Sequence, residues 1–274
     1  LIKDLYKPSN LLTFLVENDR TPKKSLSQNF LVDQNVLEKI TKTAAIKPGE
    51  TILEIGSGPG VLTNKLLEQN AHVIAIEKDT FFSEHLKNLQ LPNLTVYEDD
   101  FLNSNLEILI TKKTKVVANI PYGITTPILM KLFKHFNLFS SITLLMQKEF
   151  VSKILLPKGK EANFLSIFTR LFTKKLSHFS VGKNSFYPKP KIDSTVLHFE
   201  IRDQLDITID QISLFKTFLK GCFQARRKMI THYLNQIFKK EKVLKAYDLL
   251  KIDLNSRAED LEYSQFISLF QNLI

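Results

Sequence analysis

The sequence predicts an α/β fold with a mostly parallel sheet, followed by a smaller all-helical region. Three observations carry that expectation. Short apolar runs at 51–55, 72–77, 94–98, 115–120 and 142–146 alternate with amphipathic stretches of helical period. The first run opens into Gly56-Ser57-Gly58-Pro59-Gly60 and then a helical stretch from Val61, the strand–turn–helix order of a ligand-binding unit. Beyond about Gln204 the strand patterns cease. Leu214, Phe215, Phe218, Leu219, Cys222 and Phe223, then Ile230, Tyr233, Leu234 and Ile237, recur at helical spacing only.

Taken in order, residues 1–24 read as an N-terminal arm, with one or two helical turns over 11–16 broken at Thr21-Pro22-Lys23-Lys24. Ser25 to Leu31 is a polar stretch ending in two apolar anchors. Asp33 is placed to cap a helix reaching about Ala45. A turn at Lys47-Pro48-Gly49-Glu50 precedes the first strand. Helices are expected over 61–69, 79–89, 125–135, 148–155 and 161–172, with further strands at 176–181 and 194–201. Shorter helices fit 243–250 and 263–273. The domain boundary is expected at 203/204, so that 25–203 forms the α/β domain and 204–274 the helical one.

Composition narrows the function. The 274 residues are 43% hydrophobic, enough for one large domain or a core domain with a smaller one. The formal net charge is +10; the first hundred residues are slightly acidic, and the positive excess falls chiefly in residues 101–200. That field suits a polyanionic partner. A single cysteine, Cys222, excludes an intrachain disulfide and a cysteine-based zinc site. The six histidines show no ligand spacing, so no metal is expected. No run approaches the ~18 apolar residues of a membrane span. Lys3, Asp4, Lys7, Glu17 and Asp19 interrupt any signal-peptide pattern, and the expected location is the reducing cytoplasm.

The candidate site lies at the carboxyl ends of the strands, where open α/β sheets bind ligands. Gly56, Gly58 and Gly60 allow close backbone approach. Their spacing is not the G-x-G-x-x-G of dinucleotide sites, and no Walker lysine follows, so a phosphate cradle is disfavoured. Glu77 ends the second strand about twenty residues on, where an acid can take both hydroxyls of a ribose. Asp100, after the third strand, offers an acceptor for an adenine amino group. A ligand with ribose and adenine but no phosphate anchor fits S-adenosylmethionine. After the fourth strand comes Asn119-Ile120-Pro121-Tyr122. Asn119 offers an amide oxygen, Pro121 keeps Ile120 extended so its carbonyl can leave the strand end, and Tyr122 offers a flat ring. Two acceptors beside an aromatic face suit an exocyclic amine on a flat heterocycle.

This ordered set resembles the ribosomal RNA adenine N6-dimethyltransferases, and within them the small-subunit, kasugamycin-resistance branch. The resemblance runs from Lys24 through nearly the whole chain. It is carried by Ser27-Gln28-Asn29-Phe30-Leu31, Glu54-Ile55-Gly56-Ser57-Gly58-Pro59-Gly60, Glu77, Asp100, Asn119-Ile120-Pro121-Tyr122, Phe186-Tyr187-Pro188-Lys189-Pro190-Lys191-Ile192-Asp193-Ser194 and Phe223-Gln224-Ala225-Arg226-Arg227-Lys228. It implies a Rossmann-like, seven-stranded methyltransferase sheet with a reversed last strand. It further implies that Gln28, Asn29, Leu31, Gly56, Gly58, Glu77, Asp100 and Asn119 bind S-adenosylmethionine, released as S-adenosylhomocysteine, and that Phe186 faces Tyr122 across the target base. The activity implied is dimethylation of two adjacent adenosines in a hairpin loop near the 3′ end of small-subunit (16S) ribosomal RNA, by a cytoplasmic monomer acting on the RNA or the assembling subunit. Ile120, where this branch often has Leu, and the spelling Lys189-Pro190-Lys191 keep a large-subunit (23S) enzyme of macrolide resistance as the alternative.

Asn119, Ile120, Pro121, Tyr122 and Phe186 are thus the candidate catalytic residues. Holding both amine hydrogens would turn the nitrogen lone pair toward the methyl donor, with Tyr122 and Phe186 stacking on an extruded base. Lys23, Lys24 and the cluster Arg226-Arg227-Lys228, read as one face of an amphipathic helix, are the candidate RNA contacts. A non-catalytic RNA-binding factor and a DNA adenine methyltransferase are the remaining alternatives.

Overall fold

The computed structural model describes residues 4–224 and 227–274, the side chain of Lys24 excepted. The chain divides into two compact units. One takes in the chain as far as Lys148 together with Lys174–Ile201; the other comprises Glu149–Thr173 and Arg202–Ile274.

Among the described residues the first unit is built on nine strands. They are β1 (Phe30–Leu31), β2 (Thr51–Ile55), β3 (His72–Glu77), β4 (Leu94–Glu98), β5 (Thr114–Asn119), β6 (Phe139–Gln147), β7 (Thr173–Val181), β8 (Phe186–Tyr187) and β9 (Ser194–Ile201). Seven form one sheet in the order β4-β3-β2-β5-β6-β9-β7. Strands β2 to β6 pair in parallel, and β9 runs antiparallel to β6 with Leu144 opposite Leu197. The expected reversed strand is therefore present. Central strands covered on both faces must be apolar throughout, which explains their uninterrupted runs: Ile52, Leu53, Val116, Val117, Ile142 and Leu144 are fully buried. The strand order reverses between β2 and β5, so a crevice opens at their carboxyl ends.

The α-helices among the described residues are α1 (Pro8–Glu17), α2 (Gln34–Thr43), α3 (Val61–Leu67), α4 (Thr80–Asn88), α5 (Leu106–Leu109), α6 (Thr125–Lys134), α7 (Lys148–Leu155), α8 (Phe164–Phe172), α9 (Ile212–Gln224), α10 (Ile230–Ile237), α11 (Lys240–Leu250) and α12 (Tyr263–Leu273). Side-chain caps set several starts: Asp33 accepts from the Val36 amide over 3.2 Å and Asp79 from the Phe81 amide over 3.2 Å. The stretch expected as an arm with one or two helical turns is a helix over Pro8–Glu17 whose Leu11, Phe14 and Leu15 are buried in the core beside α4, Phe14 lying 4.7 Å from the His85 ring centre.

In the second unit α8 packs on α9, and α11 on α12. Phe270 meets both Phe215 and Phe218 at 5.0 and 5.5 Å between ring centres, and Tyr247 and Phe266 are fully buried. The chain passes from one unit to the other at Ile201/Arg202, and Glu149–Thr173 group with the C-terminal helices, whereas 203/204 is the single boundary expected between them. The apolar face of α8 packs on a later helix, a long-range choice that local pattern does not reveal.

Candidate active site

Four strand ends converge on the crevice. Strand β2 runs into the glycine turn, whose Gly56, Gly58 and Gly60 all have positive φ (70°, 52° and 90°), a region open to glycine at no steric cost. At Gly58 a side chain is doubly excluded, because a Cβ would lie 3.1 Å from the Phe30 ring. Strand β3 delivers Glu77, which is 5% exposed. Its Oε2 accepts from the Gly58 amide at 2.7 Å and its Oε1 from the Asp79 amide at 2.8 Å. The carboxylate is thus both wall and strut: it fixes the glycine turn and keeps one lone pair on each oxygen for a ligand. Burial raises its pKa, opposed by these two amide bonds.

Glu54, on β2 beneath the turn, is 1% exposed and accepts from the Thr63 hydroxyl at 2.7 Å. Burial, with the charge of Glu77 adding to it, pushes its carboxyl up to about 8. In the sequence Glu54 stands within the glycine motif with no role of its own. An acid in mid-run of a fully buried strand is the available signal, since such a group survives there only with a partner or a proton.

Asp100 sits at the end of the turn after β4, where Lys78 pairs with its Oδ2 at 2.9 Å and holds it below the usual carboxylate range. It lines a second hollow beside the first, and the two share Leu26, Ser27, Gly56 and Pro121. The crevice thus has a part walled by Glu54 and Glu77 and a part walled by Asp100, Phe101 and Ile128.

Strand β5 ends at Asn119, opposite Leu145, and Ile120, which follows it, is 1% exposed. The Asn119 Nδ2 donates to the Asn29 carbonyl at 2.9 Å, which leaves Oδ1 as the free end of the amide. Tyr122 is half-buried, and its hydroxyl shares a 2.6 Å hydrogen bond with Ser194. Burial raises the Tyr122 pKa, opposed by Ser194. Asn119, Ile120, Pro121 and Tyr122 all line the acidic hollow, as do Gln28, Asn29, Leu31, Gly56, Gly58 and Glu77.

Several expected residues take other positions. Phe186 lines neither of the two hollows that Tyr122 lines. It is 4% exposed, pairs across β1–β8 with Leu31, and packs in the core. Its neighbour Tyr187 is the ring that reaches the groove beside Tyr122. Strand alternation sends adjacent residues to opposite faces, so burying Phe186 turns Tyr187 toward the groove. Gln28 is largely committed, accepting from the Lys23 amide at 2.7 Å and donating to Asp79 at 3.1 Å. Lys23 is not a free cation: its Nζ lies 2.9 Å from Asp79. Burial would raise Asp79, but the bonds from Lys23 and Gln28 outweigh it and hold the pKa low. Arg227 and Lys228 are exposed in the turn before α10, off any helix face, while Arg226 and the side chain of Lys24 lie outside the described residues. Among the described residues no cluster of three or more His, Cys, Asp or Glu could hold a metal, and no helix is long and apolar enough to cross a membrane.

The donor set decides what the crevice can hold. Among the described residues the cations beside the crevice, Lys23 and Lys78, are paired with Asp79 and Asp100 and do not answer a phosphate there. Buried acceptor oxygens, an open glycine turn and an apolar shelf suit a nucleoside that carries hydroxyls. The fold and this site define a Rossmann-like methyltransferase. Residues 20–274 match the ribosomal RNA adenine dimethylase family, and the chain belongs to it. The chain is 37% identical over 278 residues to the ribosomal RNA small subunit methyltransferase A of Protochlamydia amoebophila, covering 98% of this chain and 97% of that protein. It is 40% identical over 257 residues to the protein of the same description from Mycoplasmopsis synoviae, covering 93% and 98%. A dimethyladenosine transferase from Plasmodium falciparum superposes with a TM-score of 0.75 at 28% identity, over 88% of this chain and 96% of that one.

Proposed function

We propose that this protein transfers methyl groups from S-adenosylmethionine to N6 of two adjacent adenosines near the 3′ end of small-subunit ribosomal RNA. The observation that carries the reading is the Asn119 amide, anchored through Nδ2 to Asn29 beside Tyr122 at the mouth of the acid-walled crevice. The relatives described as small-subunit enzymes favour that substrate over the large subunit.

When bound, the cofactor supplies an electrophilic methyl on a sulfonium. Glu77 accepts from the ribose hydroxyls, Asp100 from the adenine amine of the cofactor, and the positive-φ glycines let the backbone approach closely. At the target, the adenine N6 is a weak nucleophile because its lone pair is delocalised into the ring. Asn119 Oδ1 accepts one N6 hydrogen and the Ile120 carbonyl the other. The nitrogen is thereby held tetrahedral, with its lone pair toward the methyl. No base is needed before attack, since the amine is neutral and its proton can leave to solvent afterwards. The contribution of these residues is orientation and preorganised acceptors. Tyr122 stacks on the extruded base, and its bond to Ser194 fixes the ring. Arg227 and Lys228 contact the RNA backbone. The site of action is the cytoplasm, on RNA or on the assembling subunit.

Incubating the protein with unmethylated small or large ribosomal subunits and labelled S-adenosylmethionine, followed by mass spectrometry of the RNA, tests the reading. Two adjacent dimethyladenosines in the small-subunit RNA are expected. Label confined to the large-subunit RNA, or no label, would overturn it.

A further inference from the structure

Tyr122 stands on a chemical border. On one side lies the crevice walled by Glu54 and Glu77; on the other lies a broad groove with no acid in its lining. That groove is formed where β8 runs into the loop Pro188-Lys189-Pro190-Lys191, opposite Ser27–Asn29 and the end of β6 at Gln147. Lys189 and Lys191 are exposed, and neither has an acidic partner among the described residues. This sets them apart from Lys23 and Lys78 beside the crevice, both of which are neutralised.

The loop is held at both ends. Upstream, Phe30 pairs with Tyr187 and Ser185 donates to Asp33 at 2.8 Å. Downstream, Asp193 accepts from the Lys183 amide through Oδ1 at 3.0 Å and from the Lys148 amide through its carbonyl at 3.1 Å. Pro188 and Pro190 have fixed φ and no amide hydrogen to satisfy, so the two lysines are presented on a stiff segment that loses little entropy when it binds.

Resting on the adenosine-methylating reading above, we propose that this groove is the subsite for the nucleotide adjacent to the target adenosine. Tyr187 stacks on its base, Gln147 meets the base edge, and Lys189 and Lys191 hold the phosphodiesters on either side. An aromatic ring beside unpaired cations is the donor set of a single-stranded nucleic acid site. A phosphate in the acid-walled crevice would instead meet the Glu77 carboxylate. Tyr122 thus separates the base that reacts from the neighbour that is gripped, and the neighbour's grip fixes the register in which the first base enters.

The test uses the full chain, unmethylated small ribosomal subunits and S-adenosylmethionine, and reads kcat/KM for methyl transfer together with its salt dependence. Tyr187→Ala is expected to lower kcat/KM about 5- to 150-fold, the worth of one stacked base, with Tyr187→Phe restoring most of it. Lys189→Gln with Lys191→Gln is expected to make the log–log salt slope shallower by about 0.7 for each phosphate no longer neutralised. Cofactor affinity is expected to hold in both. The lysine pair decides if Tyr187→Ala proves misfolded, because those side chains are exposed. Active wild type with wild-type kcat/KM and salt slope in the lysine variant would overturn the subsite and leave the methylation reading standing. A wild type that transfers no methyl would instead remove the reading itself.

Discussion

Asn119 and Asn29 are joined across 90 positions of sequence by a 2.9 Å hydrogen bond from the Asn119 Nδ2 to the Asn29 carbonyl. The bond assigns the two ends of one amide to different tasks, the nitrogen to the scaffold and the oxygen to the target. Asn119→Ala is expected to lower the single-turnover rate by about 10²–10³ at saturating RNA and cofactor, the usual cost of one preorganised acceptor at a reacting centre. RNA affinity is expected to stay near wild type, because the phosphate contacts are untouched. Asn119→Asp is not expected to rescue, since a carboxylate would set an acceptor against the Asn29 carbonyl. Wild-type turnover by the alanine variant would reduce the Asn-Ile-Pro-Tyr segment to a turn.

Glu77→Ala is expected to weaken S-adenosylmethionine binding and also to loosen the fold around it. Losing bonds to a charged acceptor costs about 1.5–3 kcal/mol. The same change strips the Gly58 and Asp79 amides of their partner. Calorimetry and thermal melting, run side by side, should show higher Kd and lower Tm together. A fall in Tm with unchanged Kd would make Glu77 a strut alone.

Gly58→Ala tests the other half of that contact. At φ 52° an alanine costs about 1–2 kcal/mol, and its Cβ would press on the Phe30 ring at 3.1 Å. Phe30 is buried and leans on Phe82, so the ring has little room to retreat. Lower stability in urea is expected, with weaker cofactor binding as the Glu77–Gly58 bond shifts. A variant as stable as wild type would show that the turn can relax.

Arg227→Ala with Lys228→Ala should weaken RNA binding without changing cofactor affinity. Both residues are exposed in the turn before α10. The salt slope of RNA affinity should become shallower by up to about 0.9 for each duplex phosphate that the variant leaves unneutralised. Unchanged slope and affinity would leave these two as solvated surface charges.

The parts of this protein that are legible in the sequence are those fixed by short-range rules. Strand β2, the glycine turn and the strand-end placement of Glu77 and Asn119 follow from local periodicity and backbone chemistry, and the structure brings them to one crevice. What escapes is set by long-range pairing. Two-residue strands such as β1 and β8 have no periodicity to read, yet their pairing buries Phe186 and turns Tyr187 to the groove. Lys23 looks like a free cation in the sequence because its partner, Asp79, is 56 residues away and also caps α4. A basic run near a helix pattern reads as a helix face, whereas Arg227 and Lys228 fall in a turn.

The buried pair Glu54 and Glu77 gives the fold a pH dependence of definite sign. Glu54 is 1% exposed, and burial first, then the Glu77 charge, raises its pKa to about 8 against the opposing Thr63 bond. Its carboxyl in the unfolded chain titrates near the ordinary 4.5. Between those values the folded protein keeps a proton that the unfolded chain has released. The slope of unfolding free energy against pH follows protons bound unfolded minus folded, so stability falls as pH rises through that window, by at most about 1.4 kcal/mol per pH unit. Below it both states are protonated and above it both are ionised, so the contribution is level at either end. Glu77 is also raised and adds a slope of the same sign, so the wild-type curve alone does not isolate Glu54. The difference from Glu54→Gln does, because glutamine is neutral throughout and can still accept from Thr63. Urea unfolding at a series of pH values from 5 to 8 should show wild type losing stability relative to Glu54→Gln as pH increases. A constant difference across that range would mean that Glu54 is already ionised in the folded protein, held by a partner stronger than Thr63.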